Sequence, residues 1–163
     1  MTDEAFDVLR QNLENMRKSK RWLKRSYEKC SLIGVKESYS DDEFDGFENL
    51  VGRYARAVDV IVNKVFRSID AVELEEGGTM IDVVNRAEKR RLVESADRVR
   101  ELKDLRNDIV HEYETDDLRA LFRQTLEAVP ELFPIVERIE KYCERFQNPP
   151  KGKDTGRTDS ARE

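Results

Sequence analysis

Residues 40–69 read SDDEFDGFENLVGRYARAVDVIVNKVFRSI. Ser40-Asp41-Asp42-Glu43 is a capping box, in which the serine and glutamate side chains each satisfy a backbone N–H at a helix start. Behind it, Phe44, Phe47, Leu50, Val51, Tyr54, Val58, Ile61, Val62, Val65 and Ile69 recur in steps of three and four. That spacing places them on one face of an α-helix, whereas a strand repeats every second residue. No other apolar face in the chain is as long, so this helix is expected to be the spine of the domain. Glu75-Glu76-Gly77-Gly78 closes it.

The flanking sequence repeats the pattern. Phe6, Leu9, Leu13, Met16, Lys20, Leu23, Tyr27 and Cys30 form a bundle stripe broken only by Lys20, with Gly34 as its stop. Thr79 to Arg91 reads as a short helix capped by Thr79, with Ile81, Val84 and Ala87 inward. A fourth helix is expected from about Ser95 to Val110, its stripe being Val99, Leu102, Leu105 (or Arg106) and Ile109. Asp116 and Asp117 behind Thr115 look like the start of a fifth, striped by Phe122, Leu126, Val129, Phe133, Val136, Ile139, Cys143 and Phe146. Pro130 and Pro134 are expected to kink or divide that helix. Residues 147–163 are polar after Gln147-Asn148-Pro149-Pro150 and are expected to be a disordered tail, leaving one all-α domain over residues 1–146.

Composition agrees: 40% of the 163 residues are charged, 38% are hydrophobic, and only 7 are Gly and 4 Pro. The net charge of −5 excludes a general nucleic-acid binder, yet charge is unevenly spread. Residues 17–29 carry Arg17, Lys18, Lys20, Arg21, Lys24, Arg25 and Lys29 against Glu28 alone, and Trp22 in their midst can stack a base or pack at the bundle edge. Cys30 and Cys143 lack a CxxC partner or a second histidine, so reduced core thiols are expected and neither a metal nor another cofactor. No segment is apolar enough to span a membrane and Met1-Thr2-Asp3-Glu4 is acidic, so the expected location is cytoplasmic.

Chemistry concentrates in Arg106-Asn107-Asp108-Ile109-Val110-His111-Glu112-Tyr113, at the C-terminal end of the fourth helix. His111 is the only histidine, and histidine is the side chain whose ordinary titration lies near neutrality. Arg106 offers a permanent, planar fork for phosphate. RNA carries its own nucleophile, the ribose 2′-OH, beside every phosphodiester. Cleavage needs that hydroxyl deprotonated, the leaving 5′-oxygen protonated and the extra negative charge held. His111 suits the proton transfers, Arg106 the charge, and Asn107 the orientation of His111 or the phosphate. On a continuous helix, positions five apart are rotated by about 140°, so Arg106 and His111 converge only if the helix ends between them or a second subunit contributes. A homodimer, or higher oligomer, across the fourth helix is therefore expected.

Arg106-Asn107-x-x-x-His111 resembles the signature of the HEPN superfamily, and the added x-Tyr113 resembles its HepT branch. The resemblance implies an antiparallel bundle of four to five helices over roughly residues 5–146. It also implies a metal-independent endoribonuclease toxin, acting on tRNA or mRNA, with Arg106, Asn107 and His111 as catalytic residues. The implied partner is an MNT-type nucleotidyltransferase antitoxin that transfers AMP to Tyr113. Arg100 and Lys103, on the same helix, are the expected RNA-backbone contacts. A catalytically silent subunit that binds nucleotide or carries a nucleotidyltransferase is the alternative, and a plain helical adaptor the third reading.

Overall fold

The computed structural model describes residues 2–75, 77–111 and 118–147. Helix α1 spans Asp3–Ile33. Helix α2 is α-helical over Asp41–Asp59, passes through a π-helical segment at Val60–Val65, and resumes as α-helix over Phe66–Val72. Helices α3, α4 and α5 follow at Met80–Lys89, Ala96–His111 and Arg119–Gln147. There is no strand among the described residues.

The caps sit where the sequence placed them. The Ser40 hydroxyl accepts from the Glu43 N–H while Glu43 accepts from the Ser40 N–H, and Thr79 and Asp82 repeat the arrangement at α3. Gly34 ends α1 at φ 75°, with its N–H donating to the Cys30 carbonyl. Two expectations need correction. Ile81 is 48% exposed, and Val83 joins Val84 and Ala87 in the core instead. With Thr79 fixed as cap, Ile81 falls on the outer side of the first turn and the buried stripe starts at the half-buried Met80. Pro130 and Pro134 also do not divide the last helix; both lie exposed inside α5, where solvent can hydrate the carbonyls that lose an N–H partner. The expected cap at Thr115-Asp116-Asp117 and the tail beyond residue 147 fall outside the described residues.

Side-chain pairs give the helix directions. Phe6 meets Phe146 edge-on at 5.9 Å, Arg17 pairs with Glu140 at 2.8 Å and Tyr27 meets Phe133 at 6.1 Å, so α1 and α5 run antiparallel. Asn12 donates to Ser68, Arg53 to Ser26, and the Cys30 thiol to the Gly46 carbonyl, so α1 and α2 do the same. Arg98 bonds Glu131 and Arg138 bonds Glu94, setting α4 against α5. The result is an antiparallel bundle with α2 at its centre, touching α1, α3, α4 and α5. Its stripe is buried from Phe47 to Ile69. Phe47 stacks on Phe122 at 5.1 Å, with Tyr39 and Phe44 edge-on to Phe122.

At the far end of α2, Asp70 is only 2% exposed. It accepts from Arg86 at 2.8 Å and from Arg90, and Glu73 accepts from both Arg90 and Tyr142. This network ties α2, α3 and α5 together. Each buried charge in it has a counter-charge, which is the condition for burying it at all. No helix among the described residues is long and apolar enough to cross a membrane.

Candidate functional site

Helix α4 is continuous through His111. Val99, Leu102 and Ile109 bury one face of it, and the buried Tyr54 hydroxyl on α2 donates to the Leu102 carbonyl at 2.7 Å. That bond fixes α4 to α2 one turn before Arg106. The Arg106 guanidinium then reaches across to α2, where Nη2 donates to Asp59 Oδ2 at 2.8 Å and Nη1 donates to its neighbour Asn107 Oδ1 at 3.2 Å. Nε is buried without an acceptor. An arginine has five N–H donors; among the described residues Asp59 and Asn107 take one each, and one further N–H on each of Nη1 and Nη2 has no acceptor.

Two residues absent from the sequence expectation complete the cluster. Asn63 donates to Asp59 Oδ1 at 3.3 Å and accepts from Lys103 Nζ at 2.7 Å. The chain Lys103–Asn63–Asp59–Arg106–Asn107 thus joins α4 to α2 at its π-helical segment, a deviation that recurs at functional sites. Burial holds the Lys103 ammonium below its ordinary pKa; Asp59 opposes this, and the nearby Arg106 and Arg67 cations add to it. Lys103 is therefore half-buried and turned toward α2. Arg100 instead pairs with Asp97 on the outer surface of α4, 43% exposed.

Asp59 and Asn63 carry a faint sequence signal. They are polar residues four apart inside VDVIVNKV, the most apolar part of α2. Their partners on α4, Lys103, Arg106 and Asn107, are the residues the sequence already singled out.

His111 is exposed at the last position of α4. Because no break separates it from Arg106, the two lie about 140° apart around the helix and about 7.5 Å apart along it. Asn107, four residues before His111, shares its face. One chain therefore assembles Arg106, Asn107 and Lys103 into one cluster and presents His111 from an adjoining face. Tyr113 lies outside the described residues. Among the described residues no group of three or more His, Cys, Asp and Glu side chains is placed to hold a metal ion. Comparison with family models, curated proteins and solved structures finds no match.

Proposed function

We propose that this protein is a HEPN-type endoribonuclease of the HepT kind, the toxin of a pair whose MNT-type nucleotidyltransferase antitoxin modifies Tyr113. The observation that carries the reading is the anchored Arg106: a guanidinium held by Asp59 and Asn107 near the helix end that carries the chain's single, exposed histidine. A polar group fixed by its neighbours needs little reorganisation when charge develops in a transition state.

In this mechanism the 2′-OH attacks the adjacent phosphorus, the P–O5′ bond breaks, and a 2′,3′-cyclic phosphate and a 5′-hydroxyl form. One His111 removes the 2′ proton and a second donates a proton to the 5′ oxygen. The second comes from another copy of the chain in a two-fold dimer across α4, which also brings an Arg106 to face a His111. Arg106 neutralises the extra charge on the phosphoryl oxygens, and the half-buried Lys103 adds to the local positive field. AMP on Tyr113 places a second phosphate two residues from His111 and competes for Arg106.

The test is cleavage of tRNA or total RNA in EDTA by wild type, His111→Ala and Arg106→Ala. Cleavage by wild type alone supports the reading; equal cleavage by all three, or none by a wild-type dimer, overturns it. A strictly monomeric preparation cleaving at full rate would sink the dimer. A second reading, the silent subunit, draws on the same ion pair, since a guanidinium neutralised by Asp59 also serves simply to hold α4 on α2. A folded wild-type dimer that binds RNA or the nucleotidyltransferase without cleaving RNA would favour it.

A further inference from the structure

The basic run of α1 meets α2 in a polar surface groove of about 490 Å³, lined by Lys18, Ser19, Trp22, Asn49, Arg53 and Arg56 among others and by no carboxylate. Arg17, Arg86, Arg98, Arg106 and Arg138 each hold a carboxylate from elsewhere in the chain. Lys18, Arg53 and Arg56 hold none among the described residues. In a protein of net charge −5 this is a concentrated, uncompensated positive field.

Trp22 is 43% exposed, and the guanidinium carbons of Arg21, Arg25 and Arg53 lie 5.4, 5.8 and 5.1 Å from its ring centre. Arg53 is held in place, Nη1 donating to Ser26 Oγ at 2.6 Å and to the Trp22 carbonyl at 3.3 Å. On the adjoining strip of α2, Gly52 leaves bare backbone: a Cβ there would meet nothing within 4 Å. A helix-interior glycine weakens the helix, and no packing contact at Gly52 accounts for it.

An open indole set among guanidinium groups, with further cations lining the same groove and no carboxylate in that lining among the described residues, matches the chemistry of a base joined to a phosphate. We propose that the α1–α2 groove binds one base-and-phosphate unit, presented by single-stranded RNA or as a free nucleotide. The base stacks on Trp22 and the phosphate sits between Lys18, Arg53 and Arg56. The site needs neither His111 nor cleavage. Arg56 stands three residues, about 4.5 Å of helix rise, from Asp59, the residue that holds Arg106.

Trp22 is the only tryptophan, so its emission reports the site directly. The experiment titrates the full-length His111→Ala protein, which keeps RNA probes intact, with single-stranded oligouridine, AMP and inorganic polyphosphate. Binding is followed by indole emission and, for a labelled oligouridine, by anisotropy. Saturable quenching by oligouridine is expected. Affinity should fall about tenfold or more in Arg53→Ala/Arg56→Ala and in Trp22→Ala, but little in Trp22→Phe. Lys141→Ala, on α5, serves as the control, and helical circular dichroism checks the fold of each variant. Oligouridine binding far tighter than AMP assigns the groove to a strand; equal affinity assigns it to free nucleotide. Polyphosphate binding as tightly as oligouridine, unmoved indole emission on strand binding, or unchanged affinity in Arg53→Ala/Arg56→Ala overturns the proposal. Groove binding without any cleavage by wild type would defeat the nuclease reading and leave the groove standing.

Discussion

Arg106 on α4 and Asp59 on α2 are joined by a 2.8 Å hydrogen-bonded ion pair at the flank of the π-helical segment. Both side chains are about one-third exposed, 28% and 32%, so solvent screens the pair and its contribution to stability is small. Asp59→Asn is therefore expected to cost no more than about 1 kcal/mol in chemical denaturation. It should lower RNA cleavage far more than it lowers stability, because Arg106 loses the charged acceptor that orients it. Equal cleavage by Asp59→Asn and wild type would show that Asp59 does not position Arg106.

Tyr54 makes the complementary contact in the core. Its ring is fully buried and its hydroxyl bonds the Leu102 carbonyl. Burial pushes the phenol well above its ordinary pKa, so it stays a neutral donor throughout the accessible range. Tyr54→Phe removes the donor while keeping the ring, and about 1 kcal/mol of destabilisation is expected. Hydrogen exchange at the α4 amides around Leu102 should accelerate more than exchange in α1.

Asp70 carries a larger penalty. Asp70→Ala would leave Arg90, whose side chain is only 9% exposed, without its most deeply buried carboxylate partner, with Glu73 at 3.2 Å and the more exposed Glu75 at 3.5 Å remaining. Breaking a buried pair by removing one partner costs about 3 kcal/mol or more. Asp70→Ala/Arg90→Met should recover part of that loss in urea denaturation. A single variant as stable as wild type would show that Glu73 and Glu75 suffice to hold Arg90.

Much of this architecture is legible in the sequence because it depends on local rules. Ser40 with Glu43, Gly34, and the apolar steps through α1 and α2 each need only neighbours within a few residues. Ile81 departs because helix phase is set by the cap, and a half-buried Met80 replaces it at the stripe's start. The Arg106 cluster was half legible: its α4 members stand together in sequence, while Asp59 and Asn63 arrive from 40 or more residues away. The π-helical segment that carries Asn63 has no sequence signature in a run of β-branched residues. Trp22 and its basic neighbours on α1 were visible, but Arg53 and Arg56 join them only through the antiparallel packing of α2.

Gly52 gives a prediction of opposite sign. Replacing it with alanine removes unfolded-chain entropy and adds a Cβ that meets nothing within 4 Å. Gly52→Ala is expected to stabilise by about 0.5–1 kcal/mol, read as a raised denaturation midpoint with an unchanged denaturant slope.

The two thiols give the pH dependence. Both are buried and free, and burial pushes Cys143 from 9.0 up to about 12 and Cys30 from 9.0 up to about 11. Between those limits the folded chain holds protons that the unfolded chain has released. Their contribution to stability is therefore complete below pH 9.0 and declines as pH rises through about 11 to 12. Native protein at pH 8 should resist a thiol-exchange reagent and yield both cysteines only after denaturation. The alkaline decline should be shallower in Cys143→Ala than in wild type.

Arg106→Lys separates charge from geometry. Lysine keeps the positive charge beside Asp59 but loses the planar fork that meets Asp59 and Asn107 at once. It also removes the Nε that is buried without an acceptor, so folding should tolerate the change. Thermal stability is expected to stay within about 1 kcal/mol of wild type, while the cleavage rate at saturating RNA falls about a hundredfold, the usual loss when one oriented donor leaves a transition state. A variant that cleaves at the wild-type rate would reduce Arg106 to a point charge. A variant that fails to fold would make the Asp59 fork a structural element first and a catalytic one second.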